Sequence, residues 1–437
     1  MSALTRQQLL SYALPALPLA IPTVGLYILL PTWYVEQWGL SLGLVAVLLM
    51  LARLSDLVSD PFIGHWLDRG SPCRYRRFIL LGGILCIPGL WLLVLPLQGL
   101  AAISLLLGSV VLYLGWTLVQ VPYLSWLAAL SGDSHQRARA ASWREGLTLA
   151  GLLISAVMPA LGLMTGLETG NVLLVMALLT LVLGGLALAW LLRSTPLPAV
   201  DDAQPVAIRL SSLMRNRPAR ILLGSWFFNG IGNGIPAVLF PLFITTTLAG
   251  TESDRGLLIL IYFGAAVLSL PAWLALSRHF DKVDLWRTAM TLSILAFLPA
   301  TLLGAGDLLL FIPICILTGL MLGADLALPH AMQAEVCDWD RFRFRRQQRG
   351  LLFACWNAAN KLALALAALL GFGLLQLTQW LLTDDQSAQS LALIYAGLPC
   401  VFKAIAVVRL RNYPLRQARS AMLHRRLQQI DGVPHVD

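Results

Sequence analysis

The sequence predicts an all-α membrane protein: twelve transmembrane helices in two six-helix bundles, with both termini cytoplasmic. Three observations carry that expectation. Of 437 residues, 58% are hydrophobic and only 12% charged, about half the charged share of an ordinary soluble domain. Apolar runs of about 20 residues, the length that crosses a bilayer, recur twelve times and leave no room for a sizeable soluble domain. The basic residues fall almost entirely in alternate loops, as Lys and Arg do on the cytoplasmic side.

The runs fall near 9–33, 41–66, 78–97, 101–130, 143–167 and 171–192, then 221–248, 256–277, 286–305, 308–336, 350–381 and 389–408. Uniformly apolar runs of this length satisfy their backbone in lipid only as helices. The first contains Pro15, Pro18 and Pro22 without a small-residue cleavage site, so it is expected to be a span and not a removed signal peptide. Of 31 basic residues, 26 collect on one side, in Arg6 and in clusters around 69–77, 137–139, 193–220, 278–287, 341–349 and 409–426. The opposite loops carry Glu36, Glu168, Asp307, Asp384 and Asp385, with Arg255 as their one base. The net charge of +9 is thus expected to hold loops against an anionic leaflet and implies no nucleic acid.

The segment STPLPAVDDAQPVAIRLSSLMRNRP is the longest polar connection. It divides the chain into a bundle over 1–195 that carries the cation site, a cytoplasmic linker over 196–219 and a second bundle over 220–437. The loop GHWLDRGSPCRYRRF after the second run has an echo, SRHFDKVDLWR, after the eighth. Duplicated bundles rocking about a central site are a recurring transporter plan. Asp68 and Arg69 are expected to form an inter-helix latch that closes one face.

Four basic residues fall within spans: Arg53, Arg144, Lys361 and Lys403. Lys403 is expected to lie near the membrane boundary and snorkel, whereas Lys361 sits deep in its run. The segment ARLSDLVSDPFIG places Asp56 and Asp60 four residues apart with Ser59 between, so two carboxylates and a hydroxyl share one helix face, and Arg53 precedes them on the same side. A carboxylate in the bilayer costs about 2.5–3.5 kcal/mol on insertion scales, and two so close cannot both ionise cheaply. Holding a proton, or sharing a sodium ion that prefers oxygen ligands, resolves the conflict. The alternative is an internal Arg53–Asp56 ion pair, with Asp60–Pro61 marking a helix end.

Other polar groups could complete a cavity: Trp116, Gln120 and Tyr123 in GWTLVQVPY, Arg144 in WREG, Asn229 and Asn233 in SWFFNGIGNGIP, and Trp356 with Lys361 in CWNAANKLAL. For single Trp or Asn residues, interhelical packing is an equal explanation. The six cysteines are scattered and expected to be free thiols, and the histidines have no zinc spacing. No phosphate-binding loop, dinucleotide fingerprint or nucleophile-base layout occurs, so neither enzymatic activity nor an organic cofactor is expected.

The loop pattern Gly64, Asp68, Arg69, Gly70, Arg76, Arg77 resembles the signature of the major facilitator superfamily. ARLSDLVSDPFIG, VPYLSW, Asp133 to Arg137 followed by Arg144, EVCDWD at Glu335 to Asp340, and Lys361 together resemble the glycoside-pentoside-hexuronide:cation symporter family, which is melibiose-permease-like. The resemblance spans essentially the whole chain. It implies a cation site at Asp56, Ser59, Asp60 and Thr117 that takes Na+ or H+, a cavity lined by Arg144 and Lys361, and gating groups at Arg53, Asp68, Arg69 and Asp338. It implies a monomer in the plasma membrane, the inner membrane in a bacterium, that carries a sugar or glycoside. Two departures stand out. The first run is non-acidic from Leu9 to Trp33, and Gln120 stands where sugar permeases of the family carry an acid. Related symporters of lysophospholipids share that apolar character, so an amphiphile is the alternative substrate. A non-transporting receptor or scaffold is the alternative of another class.

Overall fold

The computed structural model describes residues 5–23, 25–68, 73–130, 134–195, 215–344, 348–381 and 390–416, with 419, 420, 422, 423 and 426. Among them there is no strand. The apolar runs become helices: α1 Arg6–Ala13, α2 Ala16–Ala20, α3 Leu30–Glu36, α4 Leu42–Asp68, α5 Cys73–Val94, α6 Ala101–Leu130, α7 Ser134–Met164 and α8 Thr169–Ser194. After the segment 196–214, where most of the expected linker lies outside the described residues, come α9 Arg217–Leu242, α10 Glu252–Leu276, α11 Lys282–Phe297, α12 Leu308–Phe344, α13 Arg349–Leu381 and α14 Leu398–Leu410. Nine described helical segments are long and apolar enough to cross a membrane.

Local chemistry sets several boundaries. Thr5 and Gln8 close a capping box on α1, and Thr251 and Asp254 do the same on α10, each satisfying otherwise orphaned N–H groups. Asn216 caps α9 by accepting from the Ala219 N–H at 3.1 Å, with Pro218 in the first turn. The first run is broken into α1, α2 and α3, separated at Pro15 and by a wide turn at Gly25–Leu29. Pro61 does not end α4, which continues through it to Asp68. α7 starts at Ser134, well before its apolar run, because Arg137 and Ala138 are buried inside the protein.

The chain divides into two compact units, one of residues 1–132, 139–208 and 340–354, the other of 133–138, 209–339 and 355–437. In the first, α5 and α4 both pack along α6, around a core that includes Tyr12, Ile79, Trp126 and Leu127. In the second, α9 and α11 pack against α14, and Phe243 stacks on Tyr395 at 4.0 Å beside Phe311. Large apolar side chains such as Leu268, Leu302 and Leu309 point outwards, as expected of surface that meets acyl chains.

The α5–α6 crossing depends on glycine. A Cβ on Gly82 would lie 2.5 Å from the Gly115 carbonyl oxygen, and one on Gly115 would lie 2.9 Å from that of Gly82. Small residues let membrane helices approach to backbone contact. Gly82→Ala is therefore expected to cost about 1–3 kcal/mol through overpacking, seen as a lower unfolding midpoint in detergent. Gly83→Ala is the control, because its Cβ meets nothing nearer than 3.5 Å. Equal effects of the two would contradict the crossing.

Candidate functional site

The sharpest feature of the first unit lies where α4 crosses α6. Asp60 is fully buried, and its Oδ1 accepts a hydrogen bond from Thr117 Oγ1 at 2.8 Å, Thr117 being fully buried too. The helix that continues through Pro61 places Asp60 on the face turned to α6. Ser59, the next residue back, is half-buried. The side chain of Asp56 lies outside the described residues, and Arg53 is exposed on α4. Chemically, a carboxylate and a hydroxyl oxygen in an apolar surround can hold a proton or a hard monovalent cation.

Tyr123, further along α6, donates from its hydroxyl to the Tyr12 carbonyl at 2.6 Å, and the two rings lie 5.0 Å apart. This ties α1 to α6. Arg144 on α7 is buried, its Nε bonded to Glu145 Oε1 at 3.1 Å and its Nη2 paired with the same carboxylate. The guanidinium also interacts with the phenols of Tyr12 and Tyr123. Its Nη1 is buried with no hydrogen-bond partner, a spare donor of the kind that calls for an explanation. Trp116 lines an apolar cavity of about 260 Å³ with Pro15, Pro18 and Leu19, and Gln120 is half-buried on the same helix.

Asp68 closes the polar end of α4. Its Oδ1 accepts the Gly350 N–H at 2.6 Å and its Oδ2 the Leu351 N–H at 2.8 Å. A carboxylate from one helix thus caps the first turn of another, where unpaired donors and the helix dipole favour negative charge. Gly64 and Gly350 make room for it, since a Cβ on either would fall within 2.5 Å of the other's carbonyl oxygen. Arg69, the other residue of the expected latch, lies outside the described residues. Burial pushes the Asp68 carboxyl up to about 8, against the pull of the two N–H donors and Arg349.

The folded protein therefore holds this proton more tightly than the unfolded chain. The stability it contributes is complete below about pH 4, the unfolded value, and is lost as pH rises through 8. The unfolding midpoint is expected to fall more steeply with pH in the wild type than in Asp68→Asn. Parallel profiles would show that Asp68 does not titrate in this range.

In the second unit the structure assembles a cluster whose pairing the sequence did not show. Asp325 on α12 accepts from Trp286 Nε1 at 2.5 Å through Oδ1, and from Asn229 Nδ2 and Asn233 Nδ2, each at 3.1 Å, through Oδ2. Lys403 Nζ lies 3.4 Å from Asp325 Oδ2 and donates to Asn229 Oδ1 at 2.9 Å. The expectation that Lys403 snorkels is thus corrected: it is buried, because α14 turns it towards α9 and α12 and away from the membrane surface. Asn229 and Asn233, one turn apart on α9, bind this carboxylate. The signal available in the sequence was the matched pair of opposite intramembrane charges, Asp325 and Lys403.

Trp356 is fully buried and stacks on Trp226 at 4.4 Å, with His330 edge-on to both rings and neither indole N–H bonded. Lys361 is half-buried on α13. Asp338 pairs with Arg137, and Lys282 with Glu335 at 2.9 Å, all four buried.

Comparison with known proteins accords with this architecture. A family model described as MFS/sugar transport protein matches residues 11–417. YagG of Escherichia coli (strain K12), named provisionally as a glycoside/cation symporter, is 25% identical over 442 residues, covering 98% of this chain and 96% of its own. The crystal structure of the E. coli fucose:proton symporter superposes with a TM-score of 0.68 at 12% identity, over 94% of this chain and 98% of that one. An outward-facing bacterial homologue of the iron transporter ferroportin gives 0.70 at 15%, over 93% and 98%. At those identities the two structures bear on fold alone, and the fold is that of the major facilitators. With the apolar helices and the match over nearly its full length, the chain is a multi-pass membrane transporter and not an enzyme, and it belongs to the MFS/sugar transport protein family.

Proposed function

We propose that the chain is a secondary active symporter that couples entry of Na+ or H+ to uptake of a sugar or glycoside by alternating access. The observation that carries this is Asp60, a fully buried carboxylate bonded to Thr117 inside an apolar bundle. Such a group is costly in a membrane and typically marks an ion path. Asp60, Thr117, Ser59 and Asp56 form the ion site. An ion biases the alternating equilibrium only by binding one state more tightly, and neutralising this acid is the differential term. The spare Nη1 of Arg144, whose guanidinium interacts with Tyr123, offers a donor to substrate hydroxyls, and Trp116, Gln120, Lys361 and Trp356 are the further substrate-binding residues of this reading. Arg53, Asp68, Arg69 and Asp338 serve as gating groups. The chain works as a monomer of twelve spans, with bundles over 1–195 and 220–437, a linker over 196–219 and both termini cytoplasmic.

The name of YagG points to a glycoside and a cation. One observation favours an amphiphile instead: α1, α2 and α3 carry no acid before Glu36. Uptake of radiolabelled sugars and lysophospholipids into proteoliposomes, under a sodium gradient and then a pH gradient, tests both. Sugar accumulation that needs one of the gradients supports the proposal. Gradient-driven movement of lysolipid alone would transfer the function to the amphiphile, and no gradient-dependent movement of either class would overturn symport.

A further inference from the structure

A cavity of about 210 Å³ lies within the second unit, among α9, α10, α11, α12 and the turn ahead of α14. Its walls are aromatic, with Phe240, Phe263, Phe297, Phe311 and Tyr395. Its floor is polar, with Asn233, Tyr262, Ser293, Thr318 and Lys403, and those same five residues adjoin a water-sized recess of about 10 Å³ at Asp325. The floor groups differ in what they have left to offer. Asp325 already accepts four donors, and Thr318 donates to the Ile314 carbonyl at 2.6 Å. Ser293 is only 7% exposed, and among the described residues neither its hydroxyl, nor the Tyr262 hydroxyl, nor the Asn233 carbonyl oxygen has a hydrogen-bond partner.

Three neutral, unused hydrogen-bonding groups at the foot of an aromatic slot specify a ligand chemistry. Asp325 and Lys403 cancel each other, so the floor carries no net charge. An anionic ligand would have to draw Lys403 away and leave Asp325 unbalanced, and a cationic one would do the reverse, each at the cost of a buried lone charge. A neutral polyol leaves the pair intact, hydrogen-bonds to Asn233, Tyr262 and Ser293, and lays its C–H face on the aromatic rings. The volume falls below the roughly 300–1,000 Å³ of sites that hold drug-sized ligands, which limits the occupant to a single ring. We propose that this cavity is a binding site for one uncharged sugar ring, a neutral monosaccharide or the glycone of a glycoside. It excludes uronates and sugar phosphates. The proposal rests on the symporter reading above and narrows its substrate class.

The test measures binding to the purified full-length protein by calorimetry and thermal shift. The neutral probes are D-glucose, D-galactose, D-xylose and their methyl glycosides, and the charged probes are D-glucuronate and D-glucose 6-phosphate. Ser293→Ala and Tyr262→Phe each remove one hydroxyl, and Ser293→Leu fills the floor. At least one neutral probe is expected to bind the wild type. The single-hydroxyl variants are expected to weaken it about tenfold, the worth of roughly 1.4 kcal/mol, and Ser293→Leu more. The sodium-induced shift should stay unchanged in all three, and their unliganded midpoints report whether they fold. A neutral sugar bound equally by wild type and all folded variants would overturn the site and leave the symporter proposal standing. Tighter binding of glucuronate than of every neutral probe would overturn its neutrality. Failure of the wild type to bind any probe would count against sugar transport itself, and the site would fall with it.

Discussion

Asp60→Asn is expected to abolish ion-dependent transport while leaving the protein folded and inserted. The asparagine Oδ1 can still accept the Thr117 hydroxyl that the carboxylate accepts at 2.8 Å, so the α4–α6 contact survives. The negative charge does not. A hard cation loses its only formally charged partner in this pair, and a proton loses the group that would carry it. Uptake driven by either gradient should fall by more than about tenfold, equivalent to at least about 1.4 kcal/mol of coupling, and sodium should no longer raise the unfolding midpoint if sodium is the ion. Thr117→Ala deletes a neutral ligand and leaves the charge, so a smaller loss is expected, several-fold in apparent ion affinity. Sodium-driven or proton-driven uptake that persisted undiminished in Asp60→Asn would remove Asp60 from the ion site.

Lys403→Met is expected to be the most damaging single change to stability. Asp325 and Lys403 are buried, and removing one partner of such a pair strands the other's charge, at about 3–5 kcal/mol. The Asn229 carbonyl loses its donor as well. The unfolding midpoint of Lys403→Met in detergent should fall well below that of the wild type. The double variant Lys403→Met with Asp325→Asn should recover much of the loss, because no lone charge remains. Recovery should be incomplete, since Trp286, Asn229 and Asn233 then donate to a neutral amide. A double variant no more stable than Lys403→Met would show that the two charges are not coupled.

These two sites also mark how far the sequence could be read. The motif around Asp60 stood out because carboxylates are rare in apolar runs, and the all-helical membrane fold followed from run length. The partner of Asp60 was legible only through resemblance to a family, since nothing in the spacing of α6 says that Thr117 and not Gln120 turns towards α4. Lys403 was misplaced for a related reason. Hydropathy measures depth along a helix, and seven residues from the end of α14 looked shallow. Which way the side chain faces is set by packing against α9 and α12, which a single apolar run does not encode. Pro61 marked a possible helix end in the sequence, yet α4 continues through it, a proline tolerated where neighbouring helices cover the freed backbone group. Asp68 and Arg69 were expected to form an inter-helix latch; what the structure adds is the grip of Asp68 on bare backbone at Gly350 and Leu351, which no residue type in the sequence announces.

Where Asp325 and Lys403 sit along the chain matters during synthesis. The acid arrives on α12 and its counter-ion only on α14, the last of the apolar helices described. Until the ribosome has delivered residue 403, the nascent chain holds a carboxylate whose eventual neutraliser has not yet emerged, and α12 cannot settle permanently among lipid tails. A chain that stops short of α14 should therefore remain exposed to quality-control proteases, so that delivery of α14 itself licenses assembly around Asp325.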